Sequence, residues 1–297
     1  SLVEENVAID FPGAGFVTED GNEVRNVFRH NFAAYIQGDP IHTLGFPGQD
    51  NVTANCPGCE GSGFWFRGVM NTFDGNEAWN NFRGINLFNQ QHLDGQYPRA
   101  PGAMPDTKNT NHQMRPILMT GNIVAANAQV GLEFWAVTRF PNVNLTAAYN
   151  GRVQVQGVQS DGIDHWYRNP HVICRTGTAS TGMHPSRAYT ASFQIDEGGE
   201  IAGCAVGIGG GGGVNGLNLS GVVLLNVINI DSMPQTALFE NVRHVPLGSN
   251  PHQYILFNND GSGGSTSWSN NAKDGNICFV AYDLTLPGFE NDAPVST

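Results

Sequence analysis

A short unit recurs along the first half of the chain and limits what it can fold into. Asn122, Ile123, Val124, Ala125 and Ala126 follow Gly121 and run on through Asn127 and Gly131 to Glu133, Phe134 and Trp135. Asn6, Val7, Ala8 and Ile9 lead in the same way to Gly15, Phe16 and Val17. Asn51, Val52, Thr53 and Ala54 lead to Gly63, Phe64 and Trp65, and Asn76, Glu77, Ala78 and Trp79 lead to Gly84, Ile85, Asn86, Leu87 and Phe88. Looser copies start at Asn31 and Asn144. The lead asparagines at 6, 31, 51, 76, 122 and 144 are spaced 25, 20, 25, 46 and 22 apart, and 46 reads as two units of 23.

Each unit is a short apolar strand, a polar turn and a second apolar strand. A unit of that size cannot bury its own apolar face and must stack on a copy of itself. The leucine pattern of a leucine-rich repeat is absent. Val, Ile, Phe and Ala alternate with Asn and Gly instead, which favours strands. Asparagines at one turn of successive coils can stack as an amide ladder. The expected fold is therefore all-β: a right-handed parallel β-helix of 20–25-residue coils, right-handed because parallel crossovers take that hand.

Composition agrees with strands and turns. Charged residues are 13% of the chain, glycine reaches 38 of 297, and the only lysines are Lys108 and Lys273. The net charge of −12 argues against nucleic acid and anionic membrane surfaces as partners, since both need basic patches. No apolar run is long enough to cross a bilayer, so no membrane insertion is expected. There is no signal peptide, and the chain reads as a mature form, a processed fragment or an excised domain. The ends of a solenoid expose strand edges, so another domain or chain is expected to cover them.

Along the chain, residues 1–157 read as regular coils with a proline-punctuated insertion at 90–116. Residues 158–260 read as further, irregular coils of the same solenoid, and 261–297 as a cap or tail. An insertion of that length inside a repeat array is a place to look for function. The run Gly209 to Gly213 is a turn and not a phosphate loop, because no Gly-Lys-Ser/Thr follows it.

Aligning the coils on Gly-Phe-Trp puts Phe16, Phe64, Leu87 and Phe134 in one inward column. Val17, Trp65, Phe88 and Trp135 then form an outward column. Gly15, Gly63, Asn86 and Glu133 form a second, and Glu19, Arg67, Gln90 and Val137 a third. Aromatic rings stack on the C–H faces of sugars, and amides and carboxylates bond their hydroxyls. Trp65, Phe88, Trp135, Glu133, Asn86 and Arg67 are thus candidate substrate-binding residues. The competing expectation is that the 90–116 insertion or a neighbouring domain buries the stripe.

Catalysis is less legible. Glycoside hydrolysis needs two facing carboxylates, and Glu133 lies several coils from Glu19 and Asp20. A polysaccharide lyase needs a cation and a base, for which Arg67 or Arg83 with His92 are the available types. The catalytic residues stay unassigned and the enzyme question open. No cofactor and no metal site is expected, because Cys56-Pro-Gly-Cys59 has no second ligand pair. A local disulfide between Cys56 and Cys59 is the expectation, and two of Cys174, Cys204 and Cys278 are left to pair. Sequons at Asn51, Asn144 and Asn218 permit glycosylation. Few lysines, disulfides and a long β-helix together point to an extracellular chain, secreted or at the cell surface.

The run Glu5 to Asp10, then Gly15, Phe16, Val17, Thr18, Glu19, Asp20 and Gly21, then Asn26 to Ala33, resembles the cell-migration-inducing hyaluronan-binding protein and transmembrane protein 2 group. Gly63, Phe64, Trp65 and Phe66 resemble a further segment of that group, and the likeness covers roughly residues 4–140. It implies a right-handed parallel β-helix in an extracellular protein connected with hyaluronan or a similar polysaccharide. Glu19 and Asp20, at the Glu-Asp-Gly position, join the candidate binding residues on that ground. The two functional expectations are a module that binds or processes a polysaccharide and a structural module, such as a stalk, adhesin or assembly subunit, that contacts other extracellular protein.

Overall fold

The computed structural model describes residues 1–18, 23–38, 60–66, 69–88, 115–135, 140–158, 164–175, 180–185, 190–209, 214–226, 228–231, 236–246 and 255–256. Among these, short strands build three parallel sheets of nine strands each, and no helix occurs. Each coil gives one strand to each sheet. The fourth coil, for example, contributes Leu118–Thr120 to the first sheet, Ile123–Ala125 to the second and Val130–Trp135 to the third. The chain is a right-handed parallel β-helix. The same three sheets run from Leu2–Glu4 in the first coil to Ile255–Leu256 in the ninth.

The interior is a single apolar column. Phe28, Phe64, Phe66 and Phe73 fill it at the second and third coils, with the Phe66 ring 4.7 Å from those of Phe28 and Phe73. Val124, Leu132, Phe134 and Val155 continue it, followed by Met183, Phe193, Ile208 and Ile230. Alternation along each strand sends every second side chain inward, and stacking in register lets like residues pack on like.

Sharp corners separate the sheets. Between the first and second, Glu5, His30, Gly75, Gly121, Asn144, Asn169, Gly221 and Asn241 take positive φ at equivalent places. Asparagine and glycine tolerate this left-handed conformation best, which explains their abundance there.

One residue beyond that corner asparagines stack, exposed at Asn6 and buried from Asn31 to Asn122. The side-chain amide of Asn6 donates to Asn31 Oδ1 at 3.1 Å, Asn31 to Asn76 at 2.9 Å, and Asn76 to Asn122 at 3.1 Å. Register shows that these four belong to consecutive coils, since Val7 pairs with Phe32, Phe32 with Glu77 and Glu77 with Ile123. The spacing of 46 between Asn76 and Asn122 is therefore one coil carrying an insertion, not two coils of 23. Asn51 starts no coil of its own, because Phe32–Ala34 pairs directly with Glu77–Trp79. Asn144 is displaced by one residue: it occupies the exposed corner, and the ladder position falls on the buried Leu145. Pro170, Val222 and Val242 follow at the same place, so the asparagine signature fades while the coil persists.

A second ladder lines the next corner. The backbone N–H of Ile36 donates to Asn81 Oδ1 at 2.9 Å, that of Asn81 to Asn127 at 3.0 Å, and that of Asn127 to Asn150 at 3.0 Å. Glycines make room for it. A Cβ on Gly63 would stand 2.7 Å from Asn81 Nδ2 and 2.9 Å from the carbonyl oxygen of Gly84. Further along, Cys204 donates its backbone N–H to Asn226 Oδ1 at 3.0 Å, and a disulfide joins Cys204 to Cys174 in the preceding coil. The expected Cys56–Cys59 bridge lies outside the described residues.

Candidate functional site

The outer side of the third sheet carries the candidate residues. Phe64 pairs with Ile85 and Ile85 with Leu132, while Phe66, Leu87 and Phe134 form the neighbouring inward row. The alignment on Gly-Phe-Trp thus has the right face but slips by two residues between the second and third coils. A slip of two preserves parity, so inward residues stay inward, but it joins the wrong neighbours. The outward row is Val17, Trp65, Asn86, Glu133, Gln156 and His184. Phe88 and Trp135 pair with each other in the next row, beside Val158. Arg67, Glu19 and Asp20 lie outside the described residues, as does Asn51.

Exposure along this row changes its meaning. Val17 is open to solvent, whereas Trp65 and Asn86 are 0% exposed and Glu133 is 3% exposed. The open aromatic stripe is not present at Trp65: that indole is as deeply buried as the core rings although it points away from them. Outward direction follows from strand alternation, but solvent exposure depends on what packs over the sheet.

The polar groups of this buried row are arranged specifically. Arg83, at the start of the third-coil strand, forms an ion pair with the Glu133 carboxylate of the next coil. Both side chains are largely withdrawn from water, which makes each the necessary counter-charge of the other. Asn86 sits beside Glu133 in register, yet among the described residues neither its Nδ2 nor its Oδ1 has a hydrogen-bond partner. No second carboxylate stands in the row of Glu133 through the sixth coil. Asp231 takes the same row in the eighth coil, four coils from Glu133, so among the described residues no two acids hold that row in adjacent coils. Gln156 and His184 went unread in the sequence because the coil of Gln156 lacks the Gly-Phe-Trp motif used for the alignment and His184 lies where the asparagine signature has faded.

The other expected residues separate. Asn144 is exposed at a corner and accepts a hydrogen bond from Asn169 Nδ2 at 2.9 Å, while Asn218 is half-buried in a first-sheet strand. Inside the helix, Tyr167 is fully enclosed, and burial raises its pKa well above the usual phenol value, which keeps it neutral. Among the described residues, no three His, Cys, Asp or Glu side chains gather to hold a metal ion, and no helix is long and apolar enough to cross a membrane.

Four coils at the amino-terminal end share one set of devices: the asparagine ladder, the glycine column and the aromatic core. Residues 1–132 match the family model CEMIP beta-helix. The CEMIP beta-helix match takes in the first three coils and most of the fourth, ending within its third-sheet strand, and so includes Trp65, Arg83 and Asn86 but stops one residue short of Glu133. It covers less than half of the 297 residues, although the solenoid itself continues for five further coils. No curated protein and no solved structure matches the chain.

Proposed function

We propose that the chain is an extracellular module that binds a polysaccharide along the outer side of the third sheet, with hyaluronan-like glycans the first to test. The observation that carries this reading is the polar set of Asn86 and the Arg83–Glu133 pair, held on that face in and beside the CEMIP beta-helix segment. Amide, carboxylate and guanidinium are the groups that bond sugar hydroxyls and carboxylates. The disulfide between Cys174 and Cys204 supports an oxidising compartment, and the exposed Asn144 sequon supports glycosylation there. Phe88 and Trp135 belong to the proposal as stacking surfaces, and Arg67, Glu19 and Asp20 as flanking polar groups, while the buried Trp65 is left out of the contact.

A second reading is a structural module bound to other extracellular protein. The complete burial of Trp65 favours it, as do the exposed Leu2, Val7, Ile9, Phe11 and Val17 on the first coil, an apolar surface that a neighbouring domain would cover. A glycan array with a depolymerisation assay, run on wild type and on Phe88→Ala and Trp135→Ala, decides between the two. Binding that weakens in both variants while the fold is retained supports the polysaccharide module. Absence of binding to every glycan supports the structural one. Binding without depolymerisation removes any enzymatic role.

A further inference from the structure

The corner between the second and third sheets repeats one backbone geometry in five consecutive coils. Asp10, Tyr35, Asn80, Ala126 and Tyr149 each follow the last residue of a second-sheet strand. Each donates its backbone N–H to the carbonyl at that strand end in the next coil: Asp10 to Ala34, Tyr35 to Trp79, Asn80 to Ala125, Ala126 to Ala148 and Tyr149 to Ile173. All five take φ between 54° and 57°, and all five are exposed. Aspartate and asparagine adopt this left-handed conformation readily, whereas a bulky aromatic residue does so at a cost. Tyr35 and Tyr149 bear that cost while each is 57% exposed, so their rings gain little from burial. Strained, open rings in register with an aspartate and an asparagine point to a contact made outside the fold.

Trp79 adds a third ring at the same edge. It ends its strand one residue before Asn80 and is half-buried. Its neighbours in register are Ala34 and Ala125, too short to enclose an indole, and its Nε1 donates to Glu77 Oε2 at 3.0 Å, which fixes the ring. Aromatic residues thus stand on the second, third and fifth coils. Coils repeat at about 4.8 Å, so the backbones of Tyr35 and Tyr149 lie about 14 Å apart along the axis. Polar groups alternate with the rings. Asn80 is exposed between the two tyrosines, and Gln37 Nε2 donates to Asp10 Oδ1 at the amino-terminal end. An apolar protein surface would meet these groups unfavourably. A glycan has the matching alternation, since each pyranose offers a C–H face to a ring and hydroxyls to amides, and an extended chain advances by nearly one coil spacing per unit. We propose that this edge, from Asp10 to Tyr149, is a binding site for an extended polysaccharide. Tyr35, Trp79 and Tyr149 stack on sugar faces, and Asn80 bonds hydroxyls. The contact uses no residue of the third-sheet face, so different substitutions abolish the two.

The test is calorimetry of the intact chain with hexasaccharides of hyaluronan, chitin, cellulose and xylan. Wild type is expected to bind at least one. Tyr35→Asn combined with Tyr149→Asn is expected to weaken that binding about tenfold or more. The melting temperature of this double variant is expected to hold or rise, because asparagine already serves the corner at Asn80 and relieves the strain. Tyr35→Phe combined with Tyr149→Phe keeps both rings and is expected to keep the affinity. Undiminished binding in the asparagine variant overturns the proposal, as does a phenylalanine variant that binds as weakly as the asparagine one. A melting temperature several degrees lower in the asparagine variant gives the tyrosines a structural role and also overturns it. Loss of binding in Phe88→Ala and Trp135→Ala alone overturns it and leaves the third-sheet reading standing; loss in the tyrosine variants alone does the reverse. A wild type that binds none of the four overturns the proposal without any variant and turns the rings over to a protein partner.

Discussion

Gln154 ends the second amide ladder by bonding Asn150 in its own coil. Its Oε1 accepts the backbone N–H of Asn150 at 2.9 Å and the side-chain Nδ2 at 2.8 Å, and its Nε2 donates to the Asn150 carbonyl at 2.9 Å. In the preceding coils that position is glycine: Gly15, Gly63, Gly84 and Gly131. There the acceptor for each ladder member comes from the following coil. The sixth coil has no asparagine to offer, so a side chain folded back from the fifth takes its place.

Gln154→Gly restores the residue type of the column but deprives Asn150 of its acceptor. The loss of stability is expected to be about 1–3 kcal/mol, the cost of unpaired buried donors. Urea denaturation followed by circular dichroism measures it, and an unchanged midpoint would show that Asn150 finds another acceptor.

Arg83→Met takes the guanidinium away from the buried Glu133 carboxylate. A destabilisation of about 3–5 kcal/mol is expected, with most of it recovered when Glu133→Leu is added, because the double variant replaces the pair by apolar packing. A double-mutant cycle in thermal melts checks both parts. A single variant as stable as wild type would mean that the pair is open to water.

Phe66→Ala and Phe134→Ala open cavities in the central column, each costing about 3–5 kcal/mol. A near-zero shift in melting temperature for either would mean that the inward rows of the third sheet are out of phase by one residue.

Gly84→Ala tests the glycine column. A Cβ there collides with the carbonyl oxygen of Gly131 and stands 2.9 Å from Asn127 Nδ2, so backbone must move. An overpacking cost of about 1–3 kcal/mol is expected, read as a lower denaturation midpoint. Retention of wild-type stability would show that the coils have slack at that corner.

Replacing Cys174 and Cys204 by serine removes the covalent link between the sixth and seventh coils. Closing a loop of sequence separation 30 stabilises by about 2–4 kcal/mol, and the variant is expected to lose that amount under non-reducing conditions. Equal melting of variant and wild type would mean that the two thiols are not joined in the protein.

The face of each third-sheet strand was legible from alternation alone, since Phe64 and Phe134 could be placed inward without knowing their neighbours. The number of coils was not. Asn51 imitates a lead asparagine inside a segment that joins two strands of one coil, and the 46-residue gap divides evenly by chance into two units of the right size. Only strand register separates a coil from an insertion of coil length. Asn144 misled by one residue for a similar reason: asparagine serves both the left-handed corner and the ladder, and sequence does not say which.

What the sequence determined by itself is the fold class and the inward face, because both follow from local periodicity and from the inability of a short unit to bury its own apolar side. Register and exposure were decided only by tertiary structure. Trp65, Asn86 and Glu133 stand in one row because three coils stack without slip, and their burial is a property that alternation along a strand does not carry. That row sets Asn86, unpaired, beside the carboxylate of an ion pair. Its members lie 21 and 47 residues apart in the chain, and only the tertiary contacts between coils bring them side by side.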